Sequence, residues 1–253
     1  MKNYILVGAS KGIGREFIKK AIKKNVTIFL ISRTNIDIES SKIVHIKTDL
    51  NNTQDLKNSL EIIIKRCNSI DSIGFFQKYR PIDKTKYRLE EDIAINIKAT
   101  KYIIETLSEY FNDHGLKSIV VIGSIASKFV AIEQPVDYHI VKSALIGLVN
   151  YFAVLLAKQK IRVNMVSPST TIKDENKIFY LENKNLTQLY EEISPLGSIV
   201  QSKDVVNLVH YLLSNKSKSV TGQNIIIDGG ISLQWQEALG RELLNLTNTK
   251  ITQ

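Results

Sequence analysis

The sequence is poor in the residues that staple or interrupt a chain. It has one cysteine, Cys67, so no internal disulfide can form, and the fold must be held by its core. That excludes a disulfide-framed secreted scaffold and fits a reducing compartment. Only four prolines are spread over 253 residues, and no Pro/Gly-rich linker, repeat or low-complexity segment is visible. The four histidines show no Cys/His spacing of the kind that holds a metal, and none is expected. Long apolar runs are also missing near the start. The first, Tyr4 to Val7, is far too short for a signal core or a membrane span. A soluble, cytoplasmic protein is the expectation.

What is there is ordinary globular composition with a charge imbalance. Hydrophobic residues make up 43% and charged residues 23%, with a formal net charge of +9. The lysines are scattered, and Lys19, Lys20, Lys23 and Lys24 read as the wet face of one helix. A solvated surface is the plain reading. The sharper one is attraction toward phosphorylated substrates or an acidic carrier protein. A nucleic-acid partner is a further option from the charge alone, but none is expected.

Apolar runs alternate with amphipathic stretches from end to end. Strands are expected at Tyr4–Val7, Thr27–Ile31, Ile43–Ile46, Ile73–Phe76, Ser118–Ile122, Arg162–Val166 and Asn224–Ile227. Helices are expected at Gly12–Lys24, Leu56–Ile64, Ile93–Phe111, Val141–Leu156 and Val205–Leu213. Continuous apolar strands separated by helices imply a parallel sheet covered on both faces. The fold class is therefore α/β, a single-domain doubly wound parallel sheet, Rossmann-like, over residues 1–253. Residues 170–194 break the rhythm, being polar and irregular, and read as a lid or mobile substrate loop.

The first strand runs into Gly8-Ala9-Ser10-Lys11-Gly12-Ile13-Gly14. Glycines permit a tight turn and close backbone approach, and the helix that follows aims free N–H groups at a phosphate. The spacing is Gly-x3-Gly-x-Gly, not the commoner Gly-x-Gly-x-x-Gly. Its place between a strand and a helix marks Gly8, Ser10, Lys11, Gly12, Ile13 and Gly14 as cofactor-binding. The second strand ends Ile31-Ser32-Arg33 without a carboxylate. An acid there would hold a ribose 2′-hydroxyl, whereas Arg33, with Lys11 nearby, can hold a 2′-phosphate. The expected cofactor is NADP(H).

Tyr138 and Lys142 stand four residues apart, on one face if the segment is helical. A nearby cation favours phenolate and should lower the tyrosine pKa toward working pH, making Tyr138 a general acid for a nascent alkoxide.

Together these motifs make the chain resemble the short-chain dehydrogenase/reductase family, and its 3-oxoacyl-[acyl-carrier-protein] reductases in particular. The resemblance runs through Gly8–Gly14, Asp49-Leu50, Asn96, Ser124, Tyr138, Lys142, Arg162-Val163-Asn164, Pro168, Pro195-Leu196-Gly197, Thr221-Gly222-Gln223 and Asp228-Gly229-Gly230. It implies that Ser124 bonds the substrate carbonyl, Tyr138 donates the proton and Lys142 holds the nicotinamide ribose. It further implies that Asn96 holds a relay water. Asp49 and Leu50 would meet the adenine, and Pro168 with Thr170 or Thr171 the nicotinamide. A homodimer or homotetramer is implied, with the long helices as interface.

Two departures stand out. Phe75-Phe76-Gln77-Lys78 replaces the family's Asn-Asn-Ala-Gly, continuing to Tyr79-Arg80, and Ser169 replaces a glycine. Phe75 and Phe76 read as core. Gln77, Lys78 and Arg80 read either as ordinary loop or as reshaping the pocket toward an anionic substrate. His139 reads as a helix-surface or interface residue. The tail from 231 to 253 repeats Trp235, Leu239, Leu243 and Leu246 at helical spacing. It would pack on its own subunit, meet a partner, or close a substrate pocket. The leading substrate is a 3-oxoacyl thioester or similar ketone, the rival a sugar or a polysaccharide or secondary-metabolite precursor. A non-catalytic nucleotide-binding sensor or scaffold is the reading from another class.

Overall fold

The computed structural model describes residues 2–81, 83, 87–115 and 117–246. The last part of the tail, 247–253, lies outside the described residues.

Seven strands form one parallel sheet: β1 (Lys2–Val7), β2 (Val26–Ser32), β3 (Ile43–Lys47), β4 (Ser72–Phe75), β5 (Lys117–Ile122), β6 (Ile161–Pro168) and β9 (Asn224–Ile227). Their spatial order is β3-β2-β1-β4-β5-β6-β9. A short pair, β7 (Thr171–Ile172) and β8 (Val200–Gln201), stands apart. Helices α1 (Gly12–Ala21) and α8 (Ser202–Leu212) cover one face. Helices α2 (Thr53–Arg66), α4 (Ala99–Leu107) and α5 (Val136–Leu155) cover the other.

Alternation along β1 explains the two cores. Tyr4 and Leu6 join Phe17, Ile18 and Val209 on the α1/α8 side, while Ile5 and Val7 join Leu60, Ile103 and Val149 on the other. Both sets are buried, so β1 reads as an unbroken apolar run. Burying one such isoleucine or leucine contributes about 1.5–3 kcal/mol.

The strand order reverses between β1 and β4, and a crevice opens where two neighbouring connections leave in opposite directions. β1 delivers Gly8 to that crevice and β4 delivers Phe76 and Gln77. The two loops touch so closely that a Cβ on Gly8 would lie 2.5 Å from the Gln77 Cα.

Three expectations need correction. The polar stretch 170–194 is not irregular: beyond β7 it folds into α6 (Lys177–Glu182) and α7 (Lys184–Glu192). Most apolar residues of those helices, Ile178, Phe179, Leu181 and Leu189, are exposed, and Leu186 is half-buried. With no buried stripe, the periodicity that reveals a core helix is weak. The long helix Ile93–Phe111 is broken into α3 (Leu89–Ile93), a π turn at Ala94–Lys98, α4 and a short 3-10 turn. The π turn carries Asn96, and such turns often mark functional sites. Helix α5 starts earlier than expected, so Tyr138 lies in its first turn. That helix is long and apolar enough to cross a membrane by length and composition, but here Val141, Leu145, Val149 and Phe152 pack it onto the sheet.

In the tail, α9 (Gln236–Leu243) leaves Trp235, Leu243, Leu244 and Leu246 exposed. Leu239 is half-buried, and Gln234 Nε2 donates to the Ile193 carbonyl at 2.6 Å.

Candidate active site

Two cavities meet in the crevice. The larger, about 220 Å³, is lined by Gly8, Ser10, Lys11, Arg33, Asp49 and Leu50 among others. The smaller, about 120 Å³, holds Gly12, Ile13 and Gly14 at one side and Ser124, Tyr138, Lys142 and Pro168 at the other. Lys11, Phe76, Gln77, Lys78 and Arg80 line both.

The glycine turn is built for close approach. Gly8 and Gly12 have positive φ, +68° and +57°, a region that favours glycine. A Cβ on Gly14 would lie 2.4 Å from the Ala9 Cα, so only glycine lets α1 start this near the strand. Ser10 pins the turn through its hydroxyl, 2.8 Å from that of Thr34. Arg33 and Lys11 face the same cavity as Asp49, whose carboxylate accepts from the Asn51 N–H at 3.0 Å. These groups fit a dinucleotide: a glycine cradle at a helix N-terminus, with cations at one end.

One contact was not legible in the sequence. The Gly12 N–H donates to Glu175 Oε1 at 2.8 Å, so a carboxylate lies on the turn where a phosphate is expected. Arg15 holds the same segment, pairing with Asp174 at 3.1 Å and Glu175 at 3.2 Å, and Lys19 pairs with Asp174 at 3.1 Å. The residues responsible come from far along the chain, and no local pattern announces them.

At the other end, Tyr138 and Lys142 are buried on α5, and the Ser124 hydroxyl is close enough to act on Tyr138. Ser124 also accepts from the Ala126 N–H at 3.2 Å, which caps the turn behind β5. Lys142 Nζ lies 5.7 Å from the Tyr138 ring centre and donates to the Ile122 carbonyl at 3.3 Å. The expected lowering of the tyrosine pKa is not found. Burial raises Tyr138, the Ser124 hydroxyl opposes this, and the Asp92 charge adds to it. The lysine responds instead: burial pulls Lys142 down to about 8, Asp92 pushes it back up, and Lys78 and Lys173 lower it further.

Asp92 is the second residue the sequence did not single out. It is buried, accepts from Asn96 Nδ2 and from the Tyr87 hydroxyl, and acts electrostatically on Tyr138, Lys142 and Lys78. Asn96 is buried too and lines neither cavity. Thr170 also lines neither, because side chains alternate along extended chain: Ser169 and Thr171 face the smaller cavity and Thr170 faces away.

The departure after β4 is a working part of the wall. Phe75 is core, as expected, but Phe76 lines both cavities and packs 5.5 Å from the Phe17 ring. Gln77 is buried, not an ordinary loop residue, and donates through Nε2 to the Thr100 hydroxyl at 2.8 Å. Lys78 places its ammonium 4.7 Å from the Tyr138 ring centre. His139 accepts from the Ala131 N–H at 3.0 Å and contacts the Pro135 carbonyl at 3.0 Å, tying down the loop before α5. Among the described residues no group of acids, histidines and cysteines could hold a metal ion.

A reversing parallel sheet, a glycine cradle and a serine–tyrosine–lysine cluster together define a dinucleotide-binding oxidoreductase site. The family model described as enoyl-(acyl carrier protein) reductase matches residues 8–232, and the chain belongs to the short-chain dehydrogenase/reductase family, whose members bind a nicotinamide dinucleotide. D-erythrulose reductase of Gallus gallus is 27% identical over 237 residues, covering 89% of this chain and 94% of that protein. L-rhamnose 1-dehydrogenase (NADP(+)) of Thermoplasma acidophilum is 25% identical over 252 residues, covering 93% and 98%. A short chain dehydrogenase family protein from Francisella tularensis superposes with a TM-score of 0.78 at 30% identity, over 92% of this chain and 100% of that one. A 4-hydroxyisoleucine dehydrogenase complexed with NADH superposes with a TM-score of 0.82 at 24% identity, over 93% and 100%, a likeness of fold.

Proposed function

We propose that this protein is an NADPH-dependent reductase that converts a ketone to a secondary alcohol, with Tyr138 as proton donor. The observation that carries this reading is the buried Tyr138, sharing a cavity wall with Ser124 and Lys142, at the end of a cavity that begins at the glycine turn. The bound cofactor supplies the hydride. Ser124 holds the substrate oxygen, and Tyr138 gives it a proton as negative charge develops. Its raised pKa keeps Tyr138 protonated at neutral pH, as a proton donor must be. Lys142 holds the nicotinamide ribose and offsets the phenolate left behind. Arg33 and Lys11 hold the 2′-phosphate, and Thr171 and Pro168 flank the nicotinamide.

The named relatives favour a small carbonyl substrate. D-erythrulose reductase and L-xylulose reductase, the latter from Bos taurus at 24% identity, act on sugars by name. This supports the sugar-type reading over a 3-oxoacyl thioester on an acidic carrier. The exposed apolar residues Ile140, Tyr151, Val154 and Leu155 on α5 support a homodimer or homotetramer formed through that helix. The single buried thiol, Cys67, suits work in the cytoplasm.

The test is a panel of ketoses, small ketones and 3-oxoacyl thioesters, run with NADPH and NADH in parallel. Turnover of a ketone with NADPH favoured is the expected result. Turnover of none with either cofactor rejects the reading.

A further inference from the structure

Among the described residues the smaller cavity is lined by five cations, Lys11, Lys78, Arg80, Lys142 and Lys173, and by no carboxylate. Lys11, Lys78 and Arg80 are exposed and screened by water, but the concentration of one sign of charge still favours an anionic occupant. Desolvation and the Lys173 and Arg80 charges lower Lys78, desolvation and Arg80 lower Lys173, and Lys142 is lowered in turn, while Asp92 offsets this in part at Lys78 and Lys142 and Glu175 does so at Lys173. The Glu175 carboxylate is engaged at the Gly12 N–H and Arg15, and Asp92 is buried behind the wall between Tyr87 and Asn96.

The cofactor accounts for only part of this charge. Arg33 and Lys11 stand in the larger cavity, suited to a 2′-phosphate. Lys173 lies against the phosphate turn, its Cδ 3.3 Å from where a Gly12 Cβ would be, and Arg80 lines both cavities, so these two suit the pyrophosphate. Lys142 belongs to Tyr138. Lys78 lines both cavities as well, and what sets it apart is its place over Tyr138, its ammonium 4.7 Å from the ring centre against 5.7 Å for Lys142. An anionic group bonded there pairs its full charge with the ammonium, which a neutral substrate cannot do.

We propose that Lys78 is an anion receptor, so that the ketone this protein reduces carries a carboxylate or phosphate group close to its carbonyl. This rests on the reductase reading above and narrows its substrate class. The group that replaces a small family residue is thereby a specificity residue, on the wall that the two cavities share.

The experiment compares matched pairs: 2-oxobutyrate with its methyl ester, and dihydroxyacetone phosphate with dihydroxyacetone, each reduced by wild-type protein and by Lys78→Met. NADPH dissociation constants are measured separately by fluorescence titration without substrate. One charge-assisted bond corresponds to a preference of about tenfold or more in kcat/KM for the anionic member. The pair that shows it identifies carboxylate or phosphate. In Lys78→Met that ratio should collapse toward one, mainly through KM, with NADPH affinity within about twofold of wild type. Three results overturn the proposal: equal turnover of both members by wild type, a preference that survives in Lys78→Met, or a loss of NADPH affinity in that variant that matches its loss of activity. Turnover of neutral ketones with no preference sinks this inference alone, whereas turnover of no ketone at all sinks the reductase reading with it.

Discussion

Removing the carboxylate of Glu175 should make the protein bind NADPH more tightly. In the structure Glu175 accepts the Gly12 N–H at 2.8 Å, and a cofactor phosphate seated on the turn would compete for that donor. A hydrogen bond from a backbone amide to a charged acceptor contributes about 1.5–3 kcal/mol net. Glu175 keeps 31% of its side chain exposed, and its pair with Arg15 is a surface contact worth well under 1 kcal/mol. Solvent screening brings the whole to about 1–2 kcal/mol, which is a factor of about 5–30 in a binding constant. Glu175→Ala should therefore lower the NADPH dissociation constant about 5- to 30-fold in a fluorescence titration. Asp37→Ala is the control: Asp37 pairs with Arg15 at 2.9 Å and makes no contact with the turn N–H, so its effect should stay within about twofold. Unchanged or weaker binding in Glu175→Ala would refute the reasoning, since the carboxylate would then be no competitor of the phosphate.

Gly8→Ala forces a Cβ to 2.5 Å from the Gln77 Cα at φ +68°, and backbone strain with overlap should cost about 2–5 kcal/mol, read by chemical denaturation. His210 is stacked on Phe17 at 4.4 Å with Nε2 unpartnered, and burial with Lys24 and Lys20 nearby lowers its pKa to about 4. A depressed histidine favours the folded state while neutral, so stability should fall as pH drops from about 6.5 toward 4. Partial exposure trims this to roughly 1–2 kcal/mol, and His210→Phe should flatten that limb of the melting profile. Lys142 loses its proton as pH rises through about 8, so kcat/KM for reduction should decline above that pH. Asp92 raises Lys142, and Asp92→Asn, which keeps the shape, should move the decline to lower pH with little change in melting temperature.

Much of the fold could be read from the sequence because a buried parallel sheet writes long β-branched runs. The strand Asn224–Ile227 is where expected, and β1, β2 and β6 gain only one or two residues at their ends. Helices with a core face, such as α8, announce themselves through Val205, Val206 and Val209. Helices α6 and α7 bury no residue and stayed hidden. The same division holds in the site. Residues fixed by local geometry, the glycine turn and the Tyr138–Lys142 pair, were legible. Asp92 and Glu175 were not, since their importance comes from partners across space. The tyrosine pKa was misread because four-residue spacing shows that a cation is near but not that both groups are buried, and burial dominates.

The central claim is that the Tyr138 hydroxyl protonates the substrate oxygen. It is tested most directly by measuring single-turnover ketone reduction and NADPH affinity together in Tyr138→Phe. The account predicts a loss of about 10²–10⁴ in the reduction rate with NADPH bound nearly as well as by wild type. Reduction at the wild-type rate by the phenylalanine variant would contradict it.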